Sequence, residues 1–283
     1  MRPTFLSLLF IASASTTVDA AVLDSQDFVS ENTFTQGVEG PVVSKQGQLF
    51  AVNFAKEGTI GMVTPSGDAS LYVTLPTGST GNGLQFDANG DLLVADYTGH
   101  NVLKIDSQTK EVSVLAHNPN FNQPNDIAVT RGGVLFASDP NWAESSGQLW
   151  RVNPDGSSLL IEANMGTTNG VAVSADQRTL FVNESVQRVV WAYDLDKDYQ
   201  ISNKRQFIRF DDFGLDGMRT DSAGHLYIAR YGSGTVVKLS KEGKLLKTYQ
   251  LKGQHPTNVA LNPREDTLYV TMQKRGSIEV IKL

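Results

Sequence analysis

The stretch LDGMRTDSAGHLYIARY, residues 215–231, contains two short apolar strands around a turn rich in Gly, Asp and Ser. An acidic residue, Asp216, stands just before the first of these strands. The same pattern occurs six times along the chain, at residues 38–54, 81–97, 124–140, 168–185, 215–231 and 256–272. We call the polar residue that precedes the first strand the leading residue of its repeat. The leading residues are Glu39, Asn82, Asn125, Asn169, Asp216 and Thr257.

The spacing of the repeats indicates the fold. Consecutive leading residues are 43, 43, 44, 47 and 41 positions apart. A period of about 40–45 residues with four strands per unit is the signature of a β-propeller blade. The longest gap is explained by an insertion at residues 194–207. No segment has the 3.6-residue apolar period of a helix. We therefore predict a single all-β domain at residues 21–283, folded as a six-bladed β-propeller.

The last repeat is one strand short of a blade, because the chain ends after the predicted strands at residues 267–272 and 277–283. Residues 28–34 (FVSENTF) precede the first repeat and belong to no other blade. An open sheet edge exposes unpaired N–H and C=O groups. We therefore predict that residues 28–34 provide the outer strand of the last blade and close the ring.

The first 20 residues have the features of a secretory signal peptide. Arg2 is followed by an apolar run at residues 5–12 and by small residues before a cleavage point after Ala20. The apolar run is too short to span a bilayer, which takes roughly 18–20 residues. The sequence contains no Cys, so the exported protein must rely on its core rather than on disulfides. We expect a periplasmic or extracellular protein.

The overall composition is that of an ordinary soluble globular protein, with 40 % hydrophobic and 19 % charged residues. Its net charge of -6 and its lack of a basic stripe argue against a nucleic-acid partner. The sequence also contains no Ser-centred nucleophile elbow and no Gly-rich phosphate loop, so a covalent mechanism has little support.

The leading residues are expected to meet. In a propeller the innermost strands line a central channel and run in the same direction, so equivalent residues form a ring at one end. Two carboxylates and three amides would then converge, and buried like charges are costly without a cation between them. Hard oxygen ligands without Cys or His favour Ca²⁺ over structural Zn²⁺. The alternative is that Asn-Gly and Asp-Gly pairs such as Asn82-Gly83 only start strands, but Glu39 is a poor turn former.

Four short motifs point to a family. They are EGP at residues 39–41, PND at 124–126, NG at 169–170 and DGM at 216–218. In this order and spacing they resemble the SMP-30/gluconolactonase/luciferin-regenerating family of six-bladed propellers. The insertion at residues 201–205 and Phe207 are similar to the segment that follows the fourth blade in that family. The resemblance extends over about residues 35–275.

The resemblance implies one divalent cation in the channel, Ca²⁺ above all, with Zn²⁺ or Mn²⁺ as alternatives. Glu39, Asn169 and Asp216 match the family's ligands, and Asn125 matches the Asn that completes the site or contacts substrate. The implied activity is lactone hydrolysis, in which the cation polarises the carbonyl and Asp216 takes a proton from the attacking water. The residues expected to contact a small-molecule substrate are Asn82, Gln123, Asn125 and Thr257.

Some alternatives stay open. Gln123 stands where sugar-lactone members of the family often have Arg, so an aldonolactone substrate is not implied. Phosphotriester hydrolases and strictosidine-synthase-like proteins share the scaffold, and the fold does not choose among them. A propeller that binds a ligand or partner around a structural cation, without catalysis, is the alternative to an enzyme. Trp142, which follows a strand of the third repeat, either forms a lip of the pocket or packs within its loop.

Overall fold

The structure, a computed structural model, describes residues 22–283. The predicted signal peptide, residues 1–20, lies outside the described residues. The described chain forms twenty-four β-strands and a single turn of 3₁₀-helix at Gln273–Arg275. None of its helical structure has the length and apolar character needed to cross a membrane.

The strands form six four-stranded antiparallel sheets, which we call blades 1 to 6. The first strand of the described chain, β1 (Ser25–Val29), belongs to the last blade. Blade 1 contains β2 (Val42–Val43), β3 (Leu49–Val52), β4 (Thr59–Val63) and β5 (Ala69–Thr74). Blade 2 contains β6 (Gly81–Phe86), β7 (Leu92–Asp96), β8 (Asn101–Ile105) and β9 (Val112–His117). Blade 3 contains β10 (Ile127–Val129), β11 (Leu135–Asn141), β12 (Ser146–Val152) and β13 (Ser158–Met165). Blade 4 contains β14 (Thr168–Val173), β15 (Thr179–Glu184), β16 (Val189–Leu195) and β17 (Ile201–Arg209). Blade 5 contains β18 (Met218–Thr220), β19 (Leu226–Arg230), β20 (Thr235–Leu239) and β21 (Leu245–Gln250). Blade 6 contains β22 (Pro256–Leu261), β23 (Thr267–Met272), β24 (Ser277–Lys282) and β1.

The six-bladed propeller predicted from the repeats is confirmed. In blades 1 to 5 the innermost strand is the first in sequence, and the chain moves outward strand by strand before entering the next blade; in blade 6 the innermost strand is β22 and the outermost is β1. The insertion at residues 194–207 falls in the hairpin between β16 and β17, where it lengthens the outer strand of blade 4 to nine residues. The irregular repeat spacing therefore reflects one long hairpin and leaves the ring intact.

Blade 6 joins the two ends of the described chain, in the order β1-β24-β23-β22. Closure by an N-terminal strand is thus confirmed, but the predicted bounds are wrong. The strand that pairs with β24 is Ser25–Val29 and not residues 28–34. The chain turns after Val29, with a positive φ of 61° at Asn32, and Phe34 then forms an isolated bridge to Phe54 beside blade 1. Residues 30–34 therefore connect the closing strand to the first blade.

Polar contacts hold the closing strand in place. The Glu279 carboxylate on β24 is fully buried and accepts hydrogen bonds from Ser25 Oγ and from the Arg275 guanidinium. The same guanidinium donates to Asp27 and to Glu31, each at 2.8 Å. One arginine therefore ties the last hairpin of the chain to its first strand and pairs the buried Glu279 carboxylate, which would be strongly destabilising without a partner.

The hydrophobic core consists of six clusters, one between each pair of neighbouring blades. The second strand of a blade is buried on both faces, which explains continuous apolar runs such as LYIAR in β19. The outermost strands are half exposed and more polar, as in β5 and β21. The core therefore lies between the blades and leaves the channel for polar residues.

Glycines that follow leading residues allow the blades to approach closely around the axis. Gly40 has a positive φ of 55°, and a Cβ there would lie 1.9 Å from the backbone oxygen of Asn82. A Cβ on Gly217 would lie 1.8 Å from Asn258 Cγ. These glycines bring the side chains at the channel end within reach of one another.

Candidate metal centre and active site

A cavity of about 370 Å³ opens at one end of the channel. The structure brings all six leading residues together in its lining: Glu39, Asn82, Asn125, Asn169, Asp216 and Thr257. Each of them lies within a first strand or up to three residues before it. Gln123 is not part of the lining; its backbone N–H instead donates to the Asp139 carboxylate at 2.5 Å. Six of the seven residues singled out by the sequence therefore share one cavity.

Two carboxyl groups, those of Glu39 and Asp216, face each other in this cavity. They are only 8 % and 9 % exposed and lie within hydrogen-bonding reach of each other. Burial raises the pKa of Glu39 to about 7, and the charge of Asp126 adds to this effect. Burial and then the neighbouring charge of Glu39 raise the pKa of Asp216 well above its ordinary value. Without a cation, the pair therefore favours keeping a proton.

Two amide oxygens in the cavity have no partner. Oδ1 of Asn125 and Oδ1 of Asn169 are buried and accept no hydrogen bond from any residue the structure describes. The Asn169 side chain does hydrogen-bond the Asp216 carboxylate. A buried acceptor left without a donor costs roughly 1–3 kcal/mol, and such atoms are rare in native proteins. Both oxygens are therefore open to a ligand.

The side chains of the other two leading residues, Asn82 and Thr257, already make hydrogen bonds within the protein. Asn82 Nδ2 donates to the backbone oxygen of Asn125 at 3.1 Å, and Asn82 lines the cavity. The Thr257 hydroxyl lies 2.9 Å from the Val38 carbonyl oxygen and 2.8 Å from Thr271 Oγ1. Both side chains are thus held in place by the neighbouring blade.

The donor set fits a hard divalent cation. Within residues 22–283 no three His, Cys, Asp or Glu side chains gather as a metal-binding group, so a cation here would use a mixed set of ligands. Two carboxylates and two unpartnered amide oxygens are such a set, and Ca²⁺ commonly completes its six to eight ligands with water or substrate. A dication would also neutralise the two buried carboxylates, which otherwise repel each other.

A buried ion pair involves Asp126, the residue that directly follows the leading residue Asn125. The Asp126 carboxylate is fully buried and accepts from the backbone N–H groups of Ile127 and Val171, at 3.0 and 3.2 Å. Arg219, from β18 on blade 5, reaches across the channel to within 3.4 Å of this carboxylate. Burial raises the pKa of Asp126, and the Arg219 charge opposes that effect. The sequence analysis did not identify this pair, although Arg219 belongs to the opening stretch and Asp126 to the PND motif.

Two further asparagines, which the sequence patterns do not mark, contact the residues that carry the carboxylates. Asn183 is fully buried, and its Nδ2 donates to the backbone oxygen of Asp216 at 2.6 Å. The Asn258 side chain hydrogen-bonds Glu39, while its Oδ1 accepts from the Val259 N–H at 2.8 Å. Both contacts join residues of different blades, and no local sequence pattern marks them.

The rim of the cavity is formed by residues that directly follow the second strands of five blades. They are Tyr97, Trp142, Ser185, Tyr231 and Gln273. Trp142 is 38 % exposed and lines the cavity, so it forms a lip of the pocket rather than only packing within its loop.

Comparison with known proteins places this geometry in context. The sequence model of the SMP-30/Gluconolactonase/LRE-like region matches residues 38–274. A gluconolactonase of Zymomonas mobilis is 27 % identical over 273 residues, covering 83 % of this chain and 76 % of that protein. A pentonolactonase of Haloferax volcanii is 28 % identical over 193 residues, covering 67 % of this chain and 66 % of that protein. The crystal structure of regucalcin from Agrobacterium tumefaciens, described as a calcium-binding protein, superposes with a TM-score of 0.79 at 20 % identity, covering 92 % of this chain and 93 % of that one.

Proposed function

The chain belongs to the SMP-30/gluconolactonase/LRE-like family, and from this premise we propose that it is a metal-dependent hydrolase of a lactone or a related small ester. The observation that carries the proposal is the meeting of two buried carboxylates with two unpartnered amide oxygens in one cavity. Two relatives named as lactonases, one for gluconolactone and one for pentonolactone, support the reaction class.

Glu39, Asn169 and Asp216 would hold the cation, and Asn125 would complete the site or contact the substrate. Ca²⁺ is the preferred ion because all of these donors are hard oxygens, and a structural relative described as calcium-binding supports this choice. Zn²⁺ and Mn²⁺ remain alternatives for the assay. When bound, such an ion acts as a Lewis acid that polarises the lactone carbonyl and stabilises the oxyanion.

Asp216 would act as the general base. Its carboxylate takes a proton from the water that attacks the lactone carbonyl. The ring C–O bond then breaks, the proton is returned to the leaving alkoxide, and the product is a hydroxy acid. Asn183 holds the Asp216 backbone oxygen at 2.6 Å, and Asn169 hydrogen-bonds the carboxylate. The first contact holds the backbone at Asp216, and the second lies on the carboxylate itself.

Substrate contacts are assigned to Asn82, Asn125 and Thr257. All three line the cavity, and the neighbouring blades hold them through backbone hydrogen bonds. Gln123 receives no such role from its position, since it is not in the lining. We further propose export to the periplasm or the extracellular space, on the basis of the pattern at residues 1–20 and the absence of Cys.

The test is hydrolysis of a panel of γ- and δ-lactones, followed by pH-stat titration with Ca²⁺, Mn²⁺ or Zn²⁺. Asp216→Asn should lower kcat by about 10²-fold or more, because general-base catalysis contributes on that scale. Asp211→Asn, an exposed carboxylate five residues earlier, is the charge-matched control and should retain activity. Wild type that matches the no-enzyme blank on every lactone would leave only a binding propeller. Full turnover by Asp216→Asn would instead remove Asp216 as the general base.

A further inference from the structure

We propose that the cavity takes uncharged lactones whose ring carries an aromatic or apolar substituent, and that it discriminates against anionic lactones. This inference rests on the proposed hydrolase function and specifies its substrate class. Two features carry it: the aromatic rim of the cavity and the absence of a positive side chain among the described residues that line it.

The rim presents three aromatic rings from three blades. Tyr97 follows β7, Trp142 follows β11 and Tyr231 follows β19, so each ring stands where a second strand leaves its blade. β11 has seven residues where β7 and β19 have five, which extends Trp142 further from the blade. The backbone of the fold therefore places aromatic groups around the entrance, above the ring of leading residues.

The three rings are held by contacts within the rim. The Tyr231 hydroxyl donates to Gln273 Oε1 at 2.5 Å, and the His255 ring lies edge-on at 5.0 Å from the Tyr231 ring. The Trp142 side chain lies close to the Tyr97 hydroxyl. Because the Tyr231 hydroxyl already has a partner, this ring offers a substrate mainly its apolar part. Rigid aromatic rings of this kind bind flat or apolar groups.

The charges of the lining are unfavourable for an anion. Among the described residues that line the cavity there is no Lys, Arg or His, and its charged side chains are Glu39 and Asp216. Arg219 is not in this lining and is already paired with Asp126. A dication would neutralise the two carboxylates, and no net positive charge would remain to attract an anion. A carboxylate or phosphate on the substrate would then lose water without gaining a counter-ion, which is costly.

The size of the cavity agrees with a small substrate. Its volume of about 370 Å³ lies at the lower end of ligand pockets, which span roughly 300–1,000 Å³. One lactone ring with its carbonyl at the leading residues would place a substituent on that ring against the aromatic rim. Aromatic rims also stack on sugars, so the test has to separate an apolar substituent from a hydroxylated one.

The experiment compares three γ-butyrolactones that differ only in the substituent on the ring carbon next to the ring oxygen: phenyl, hydroxymethyl and carboxylate. We expect kcat/KM to be highest for the phenyl lactone and lowest for the carboxylate lactone. The two values should differ by about tenfold or more, because one methylene group in an apolar pocket already changes kcat/KM by about tenfold. Trp142→Ala should lower the phenyl-to-hydroxymethyl ratio of kcat/KM by about tenfold, mainly through KM. Trp142→Phe should restore most of that ratio.

The matched control is Leu159→Ala, which removes an exposed apolar side chain from the outer strand of the same blade, far from the lining. This variant should leave the ratio unchanged, and thermal melts should show that all variants are folded. The proposal is overturned if the carboxylate lactone is turned over as well as the phenyl lactone. It is also overturned if the ratio stays the same in Trp142→Ala.

A second readout separates this inference from the proposed function. The three corresponding γ-lactams resist hydrolysis, so calorimetric titration with Ca²⁺ present measures binding alone. If no lactone is hydrolysed but the phenyl lactam binds best and Trp142→Ala weakens it, the hydrolase fails and the ligand class stands. If lactones are hydrolysed while neither turnover nor lactam binding prefers phenyl to carboxylate, the hydrolase stands and the ligand class fails.

Discussion

Replacing Glu39 by Gln should stabilise the metal-free protein and weaken its cation binding at the same time. Glu39 is 8 % exposed, and burial raises its pKa from 4.5 to about 7. At about 1.4 kcal/mol per pKa unit, this difference disfavours the ionised form in the folded state by roughly 3 kcal/mol. Glu39→Gln removes the charge but keeps the size and an oxygen acceptor, so it removes this cost.

The pH dependence follows from the direction of the pKa change. Below about pH 4.5 the carboxyl group is protonated in both folded and unfolded chains, and the cost is absent. Above about pH 7 it is ionised in both, and the cost is complete. Metal-free wild type should therefore lose stability as the pH rises through this window, while Glu39→Gln should lose less. For a chain of this size, roughly 3 kcal/mol corresponds to about 5 °C in Tm.

The assay is thermal unfolding by circular dichroism with a chelator at pH 5 and at pH 8, followed by calcium titration of both proteins. With Ca²⁺ at about 1,000 times its Kd for wild type the order of stability should reverse, because binding then stabilises the folded state by about 4.1 kcal/mol. Glu144→Gln, an exposed site, controls for the change in net charge. The reasoning is refuted if Glu39→Gln melts lower than wild type in chelator at pH 8. Equal calcium affinity of the two proteins would remove Glu39 from the metal site.

Three further predictions test the fold around the site. Deleting residues 21–35 should lower the Tm of the whole protein, because blade 6 loses its outer strand and the ring opens; a melting curve identical to wild type would reject the closure. Gly217→Ala should lower the free energy of unfolding by about 1–3 kcal/mol and should reduce calcium affinity, because the new Cβ would collide with Asn258, which contacts Glu39. Urea titration measures the first effect and calorimetry the second. Arg219→Met should lower the free energy of unfolding by about 3–5 kcal/mol, because it leaves Asp126 as an unpaired buried charge. Urea titration measures this effect as well.

Two variants serve as controls for these experiments. Gly214→Ala is a nearby glycine at which a Cβ would meet nothing closer than 3.5 Å, so it should be tolerated where Gly217→Ala is not. Combining Arg219→Met with Asp126→Asn removes both charges of the pair and should recover part of the lost stability. If the double variant is as unstable as the sum of the single variants, the two residues do not act as a pair.

Part of the site could be predicted from the sequence because the fold repeats. Glu39 and Asp216 are 177 positions apart, yet they occupy the same position of repeats 1 and 5. Equivalent positions of a closed ring must lie at the same end of its axis, so the repeat alone predicts that they meet. The closing strand was predicted for the same reason, since a ring with a missing strand leaves an open edge.

Other features could not be predicted because they depend on competing contacts in space. The closing strand begins at Ser25, where it pairs with β24, whereas Phe34 forms a bridge to Phe54 beside blade 1. Gln123 matches a motif position, but its backbone is drawn to Asp139 and its side chain leaves the cavity lining. In both cases the residue type fits the prediction, and a neighbour distant in sequence decides the outcome.

The repeats are enough to predict the number of blades, the closure of the ring and the six residues at the channel end, because equivalent positions of a repeat can be recognised without any knowledge of contacts. Contacts between blades establish which oxygens lack partners, which asparagines contact Glu39 and Asp216, and how Arg219 reaches Asp126, 93 positions away in the chain. Side-chain direction and hydrogen-bond partners are set by packing between blades. They depend on the geometry of the closed ring and are not carried by any single repeat.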